Sequence, residues 1–147
     1  MAKIKLPHSV EPLLPFCRPA GDNRKPNVFQ TYAEAVTFAA AVGFYQKNGA
    51  KPTPAKHFMT IPPKEIELDV FRNQNLFITL LTLGLAADKS QEVAKDEERL
   101  CSIVEGYAHE GFVHMSQVLK NTTPSSFHRE LIDEMREAYE GVEPATI

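Results

Sequence analysis

The chain has 147 residues, 43% apolar and 24% charged, which is the balance of one soluble globular domain. Its net charge of −3 argues against a dedicated nucleic-acid binder, and its two cysteines, Cys17 and Cys101, have neither metal nor disulfide spacing. The longest apolar stretch, Leu76 to Ala87, is too short and too polar to span a bilayer, and MAKIKLPHSV lacks the apolar run of a signal peptide. The expectation is a cytoplasmic protein with no membrane partner.

Pro7, Pro12, Pro15, Pro19 and Pro26 each remove a backbone donor and restrict the residue before them. They predict a proline-rich, extended arm over residues 1–26 that docks on a helical domain of residues 27–147. Ile4 and Leu6 alternate with lysines and suit one short strand, while Val10, Leu13, Leu14 and Phe16 are residues that dock on a core. Thr31 and Glu34 form a capping box at the start of a helix over 32–48. Gly49 stops it, and Val36, Phe38, Val42, Phe44 and Tyr45 among alanines leave it little solvated face, so it belongs at the centre of the core.

Pro52, Pro54, Pro62 and Pro63 make the next segment a loop. Leu76, Phe77, Leu80, Leu81, Gly84 and Leu85 then form the wide stripe of one helix over 69–88. Asp88 or Ser90 caps a third, amphipathic helix with Val93, Glu97, Leu100, Cys101, Val104, Tyr107 and Ala108 on its inner side. Gly111 is expected to interrupt it, with Phe112, Met115, Val118 and Leu119 on a short fourth helix ending near Asn121. A last helix follows from Ser125 to about Tyr139, with Phe127, Leu131, Met135 and Ala138 on one face. The fold class is therefore all-α, a single compact domain of four to five helices with an extended arm.

His109 and His114 stand five apart, whereas two zinc-ligating histidines on one helix face need a spacing of four, so no metal site is assigned. No glycine-rich phosphate loop occurs, and no cofactor is expected. The carboxylate groups Asp96-Glu97-Glu98 and Asp133-Glu134 belong to solvent-facing helix surfaces. Glu97 is the exception: in an apolar row, it should bond a backbone group or a base such as Arg72, or mark a polar pocket. No catalytic residue is assigned, and the chain reads as a protein that is not an enzyme.

The net charge hides a split. Residues 1–64 hold nine Lys/Arg and three Asp/Glu, and residues 65–147 hold seven and sixteen. One reading makes Arg24, Lys25, Lys47, Lys51 and Lys56 a nucleic-acid contact, since phosphates attract clustered cations. The other has the two halves pairing with each other, within one fold or head to tail in a homo-oligomer, with the lysines after the first helix serving its dipole.

Two segments, FQTYAEAVTFAAAVGFYQKNGAKP and LCSIVEGYAHEGFVHMSQVL, together with VFRNQNLFITLLTLGLAAD between them, carry a family pattern. Its positions are Phe29, Glu34, Ala35, Phe38 to Ala41, Gly43 and Phe44, then Glu105, Tyr107, Ala108 and Gly111. Over about residues 27–120 the chain resembles the small bacterial proteins named as dnd system-associated, encoded beside DNA phosphorothioation genes. The resemblance implies a DNA-modification-linked or restriction-like defence against phage and a protein partner in such a complex, and it assigns no catalytic residue. The function expected is a non-catalytic accessory or adaptor acting through protein contacts and weak DNA contact. The alternative is a self-associating structural module unrelated to DNA.

Overall fold

Thr31 starts the central helix as its spacing from Glu34 predicts. In the computed structural model, which describes residues 2–17, 29–88, 91–120, 133 and 136, its hydroxyl accepts from the Glu34 N–H at 3.1 Å. Helix α1 then runs Tyr32–Gln46 and is buried without a break from Ala35 to Gly43. Its end is closed by Lys47 N–H bonded to Gly43 O at 3.0 Å and Gly49 N–H bonded to Phe44 O at 3.1 Å. Asn48 at φ 52° and Gly49 at φ 78° take the left-handed backbone that such a stop requires.

The main partner of α1 is α4, Glu97–Lys120, which passes straight through Gly111. The expected interruption there is corrected. A glycine inside a helix costs about 1 kcal/mol in propensity, too little to break a packed helix, and this one has a steric use. A Cβ on Gly111 would overlap Ala39 O, and one on Gly43 would overlap Tyr107 O. The two backbones therefore cross with no side chain between them. Asp96 caps α4 by accepting from the Arg99 N–H at 3.2 Å, which moves the cap from Asp88 or Ser90.

The single helix expected over 69–88 is two helices, α2 Leu68–Asn73 and α3 Phe77–Asp88. Asn75 breaks them at φ 61°, and the Leu76 N–H returns to Phe71 O at 2.8 Å. The physical reason is local: Arg72 to Asn75 is polar, asparagine tolerates the left-handed region, and the apolar stripe begins only at Leu76. A short 3-10 turn, Gln91–Ala94, leads from α3 toward α4.

The N-terminal segment is not an extended arm over its described part. Strand β1, Lys3–Lys5, pairs antiparallel with β2, Glu65–Glu67, with Ile4 opposite Ile66. A 3-10 helix, His8–Phe16, follows and contains Pro12 and Pro15. Fixed proline φ values suit such a helix as well as they suit extended chain, so proline count alone did not separate the two. Ile4, Leu6, Val10 and Leu13 are fully buried, and the Phe29 N–H closes on Phe16 O at 3.0 Å. Among the described residues the fold is thus mostly helical with a small two-stranded sheet. The rest of the expected arm and the last helix over 125–139 lie outside the described residues, apart from the exposed Asp133 and Arg136.

Candidate functional site

Opposite charges meet inside this fold. Lys3 Nζ pairs with Glu65 at 3.0 Å, and β-register sets Lys3 beside Glu67 and Lys5 beside Glu65. Arg72 bridges Asp69 and Glu97 while its guanidinium lies over the Phe77 ring, 4.4 Å from the centroid. Arg99 Nη2 donates to Asp88 Oδ1 at 3.0 Å, Nε stands 2.9 Å from Oδ2, and Nη1 reaches Glu92 at 3.3 Å. Among the described residues Lys47, Lys51 and Lys56 have no such carboxylate partner. Arg24 and Lys25 lie outside the described residues.

Lys47 caps α1, and Lys51 and Lys56 stand exposed on the loop after it. That loop is held at both ends. At one end the Tyr107 hydroxyl donates to Ala50 O at 2.7 Å, and Pro52 lies so close to α4 that a Cβ on Gly106 would come within 2.7 Å of its Cγ. At the other end the His8 N–H donates to His57 O at 2.9 Å and the Met59 N–H to Leu6 O at 2.9 Å. Lys51 also lines a cavity of about 230 Å³ with Pro52, Ala87, Asp88, Arg99, Ile103 and Tyr107. The Arg99 and Asp88 charges neutralise each other there, which leaves the Lys51 ammonium as the cation free to meet an anion.

Glu97 bonds Arg72, one of the partners its sequence position suggested, but its side chain is 45% exposed, so its expected place on the inner side of the helix is corrected. It sits in the first turn of α4, where a carboxylate also favours the helix dipole. His109 Nδ1 and Ser9 Oγ share a hydrogen bond of 2.9 Å that ties the 3-10 helix to α4. No group of three metal-ligating side chains gathers among the described residues. An open groove of about 550 Å³ lies beside this contact, between Pro12 and Val113, with His8 and Glu11 paired at 2.7 Å on its rim.

Glu105 accepts from the Lys5 N–H at 2.7 Å, so α4 carries the anchor for β1. Burial pushes its carboxyl above the ordinary glutamate value, and the Lys5 N–H and charge oppose that shift only in part. Burial likewise raises the Tyr107 phenol, which keeps it a donor, and pushes the Cys17 and Cys101 thiols up to about 12. None of these long-range contacts was readable from the chain. The signal that pointed nearest to them was the pattern itself, which includes both Glu105 and Tyr107.

A family model described as DNA sulphur modification system-associated protein 4 matches residues 4–143. The chain belongs to that family. No curated protein and no solved structure matches it. The DNA sulphur modification system-associated family thus takes in β1 and the 3-10 helix, which the resemblance over about 27–120 left aside. In this member, Phe29, Phe38, Gly43, Tyr107, Ala108 and Gly111 are all buried at or near the α1–α4 contact, so most of the shared pattern is architecture. The family name ties the chain to a DNA sulphur modification system. No helix among the described residues is long and apolar enough to cross a membrane.

Proposed function

We propose that this protein is a non-catalytic accessory or adaptor of a bacterial DNA-modification-linked, anti-phage system in the cytoplasm. It acts through contacts with a protein of that system and touches DNA weakly through Lys47, Lys51 and Lys56, with Arg24 and Lys25 included from their sequence positions. The observation that carries this reading is that Lys47, at the end of α1, and Lys51 and Lys56, on the tethered loop after it, lack carboxylate partners, whereas Arg72 and Arg99 are ion-paired. A net charge of −3 keeps the contact weak, and its salt dependence follows from the few phosphates these cations neutralise.

The test is light scattering after size exclusion at low and high salt, with and without a short DNA duplex. A DNA-dependent mass increase that vanishes at high salt, and that is lost on joint charge reversal of Lys47, Lys51 and Lys56, supports the reading. A mass indifferent to DNA at every salt rejects its DNA part.

A second reading, a self-associating module, has one observation in its favour. Ile78 is 66% exposed on α3, and Phe77 to Ala87 contains no charged residue. It forecasts a mass that rises with protein concentration and ignores DNA.

A further inference from the structure

The lysine loop is joined to α4 at one place, and two neighbouring α4 residues make the joint. We propose that Tyr107 and Gly106 are positioning residues for phosphate contact: they hold Ala50 and Pro52, the residues on either side of Lys51, and so order the loop before DNA arrives. The proposal rests on the DNA-contact reading above and deepens it.

Tyr107 is fully buried, and its ring meets Phe44 edge-on with centroids 5.5 Å apart, which fixes where the hydroxyl stands. Its near acceptor is Ala50 O, 2.7 Å away, with Gly49 O farther off at 3.5 Å. Gly106, also buried, lets Pro52 settle against the α4 backbone, with Pro52 Cβ within 2.9 Å of where a glycine substituent would stand. Lys51 therefore leaves a backbone pinned on both sides, while Lys56 leaves a stretch pinned again at His57. Ordering a loop in advance removes an entropic cost that binding would otherwise carry, so a weak, purely electrostatic contact benefits most from it.

The experiment measures affinity for a short fluorescent duplex by anisotropy across a salt series, with backbone amide exchange of residues 47–57 and thermal midpoints. It compares wild type, Tyr107→Phe, Gly106→Ala and Lys51→Gln. Tyr107→Phe keeps the ring contact and removes only the donor, so affinity should fall about fivefold, the worth of one neutral hydrogen bond. Exchange across the loop should quicken, and the slope of log affinity against log salt should stay at the wild-type value, since no phosphate contact has been deleted. Gly106→Ala, which displaces Pro52 without touching the hydroxyl, should do the same. Lys51→Gln should lower the salt slope by about 1.

Wild-type affinity in both Tyr107→Phe and Gly106→Ala, beside a weakened Lys51→Gln, overturns the positioning role and leaves the DNA reading standing. An affinity loss accompanied by unchanged exchange overturns it as well. Absence of DNA binding by the wild type, or a Lys51→Gln slope equal to wild type, sinks the contact through Lys51 and the positioning proposal with it.

Discussion

Gly43 of α1 and Gly111 of α4 are reciprocal partners: each lies against the carbonyl of the residue one turn before the other, Gly43 against Tyr107 O and Gly111 against Ala39 O. Two helix backbones approach this closely only when neither carries a Cβ at the crossing. The same turn of α4 holds Glu105, which anchors β1, and Tyr107, which anchors the loop after α1. A shift at the crossing therefore moves the lysine loop along with the core.

Replacing Gly111 or Gly43 by alanine should destabilise the protein, although helix propensity by itself favours alanine by about 1 kcal/mol. The obstacle is a backbone carbonyl, which cannot rotate aside, and a net loss of about 2 kcal/mol is expected from overpacking. Urea unfolding measures it. The double substitution should cost less than the two singles together, because one separation of the helices relieves both overlaps. A Gly111→Ala protein as stable as wild type would mean that the crossing is looser than described.

Glu105 makes stability pH-dependent in a direction opposite to that of an ordinary salt-bridged carboxylate. Its folded pKa lies above the unfolded one, so its favourable contribution is complete below the unfolded value and is lost as pH rises through the raised one. Glu105→Gln keeps an acceptor for the Lys5 N–H and removes the buried charge. Relative to wild type, its denaturation midpoint should be higher at neutral pH than at pH values below the ordinary glutamate range. A midpoint difference that does not change with pH would contradict the buried-charge account.

The Arg72–Glu97 pair should matter little. Its side chains are 37% and 45% exposed, and pairs of that kind contribute no more than about 1 kcal/mol. A double-mutant cycle with Arg72→Ala and Glu97→Gln should give a coupling within that bound, smaller still in concentrated salt. A coupling several times larger would indicate a role for Glu97 beyond holding the α2 end to the α4 start.

Cys17 and Cys101, both 2% exposed with thiols pushed up to about 12, should resist alkylation in the folded protein at neutral pH and react on unfolding. Mass spectrometry after a timed maleimide pulse reads both sites. Rapid labelling of Cys17 would show that the 3-10 helix, from which Leu13 O accepts the Cys17 S–H, opens readily.

What the amino-acid sequence determined by itself was everything set by neighbours in the chain. The Thr31 cap, the stop at Gly49 and the burial of α1 from Ala35 to Gly43 depend on residues within a turn or two and were legible, whereas Tyr45, expected to be buried, is 36% exposed. The pairing of Glu97 with Arg72 was among the sequence's suggestions, but its stated reason was not met, since Glu97 is 45% exposed and no buried carboxylate demands a base there. The tertiary structure decided the rest. Whether Gly111 ends a helix or admits a partner depends on what packs against it, and local propensity could not weigh the backbone of Ala39. Whether Pro12 and Pro15 belong to an extended arm or to a docked 3-10 helix depends on β2 and α4, which supply the partners of β1 and the polar anchors of the segment. Which lysines are left for an outside anion depends on where the carboxylates of the second half come to lie. That is a property of the folded surface, since Coulomb attraction follows distance through space and not separation along the chain.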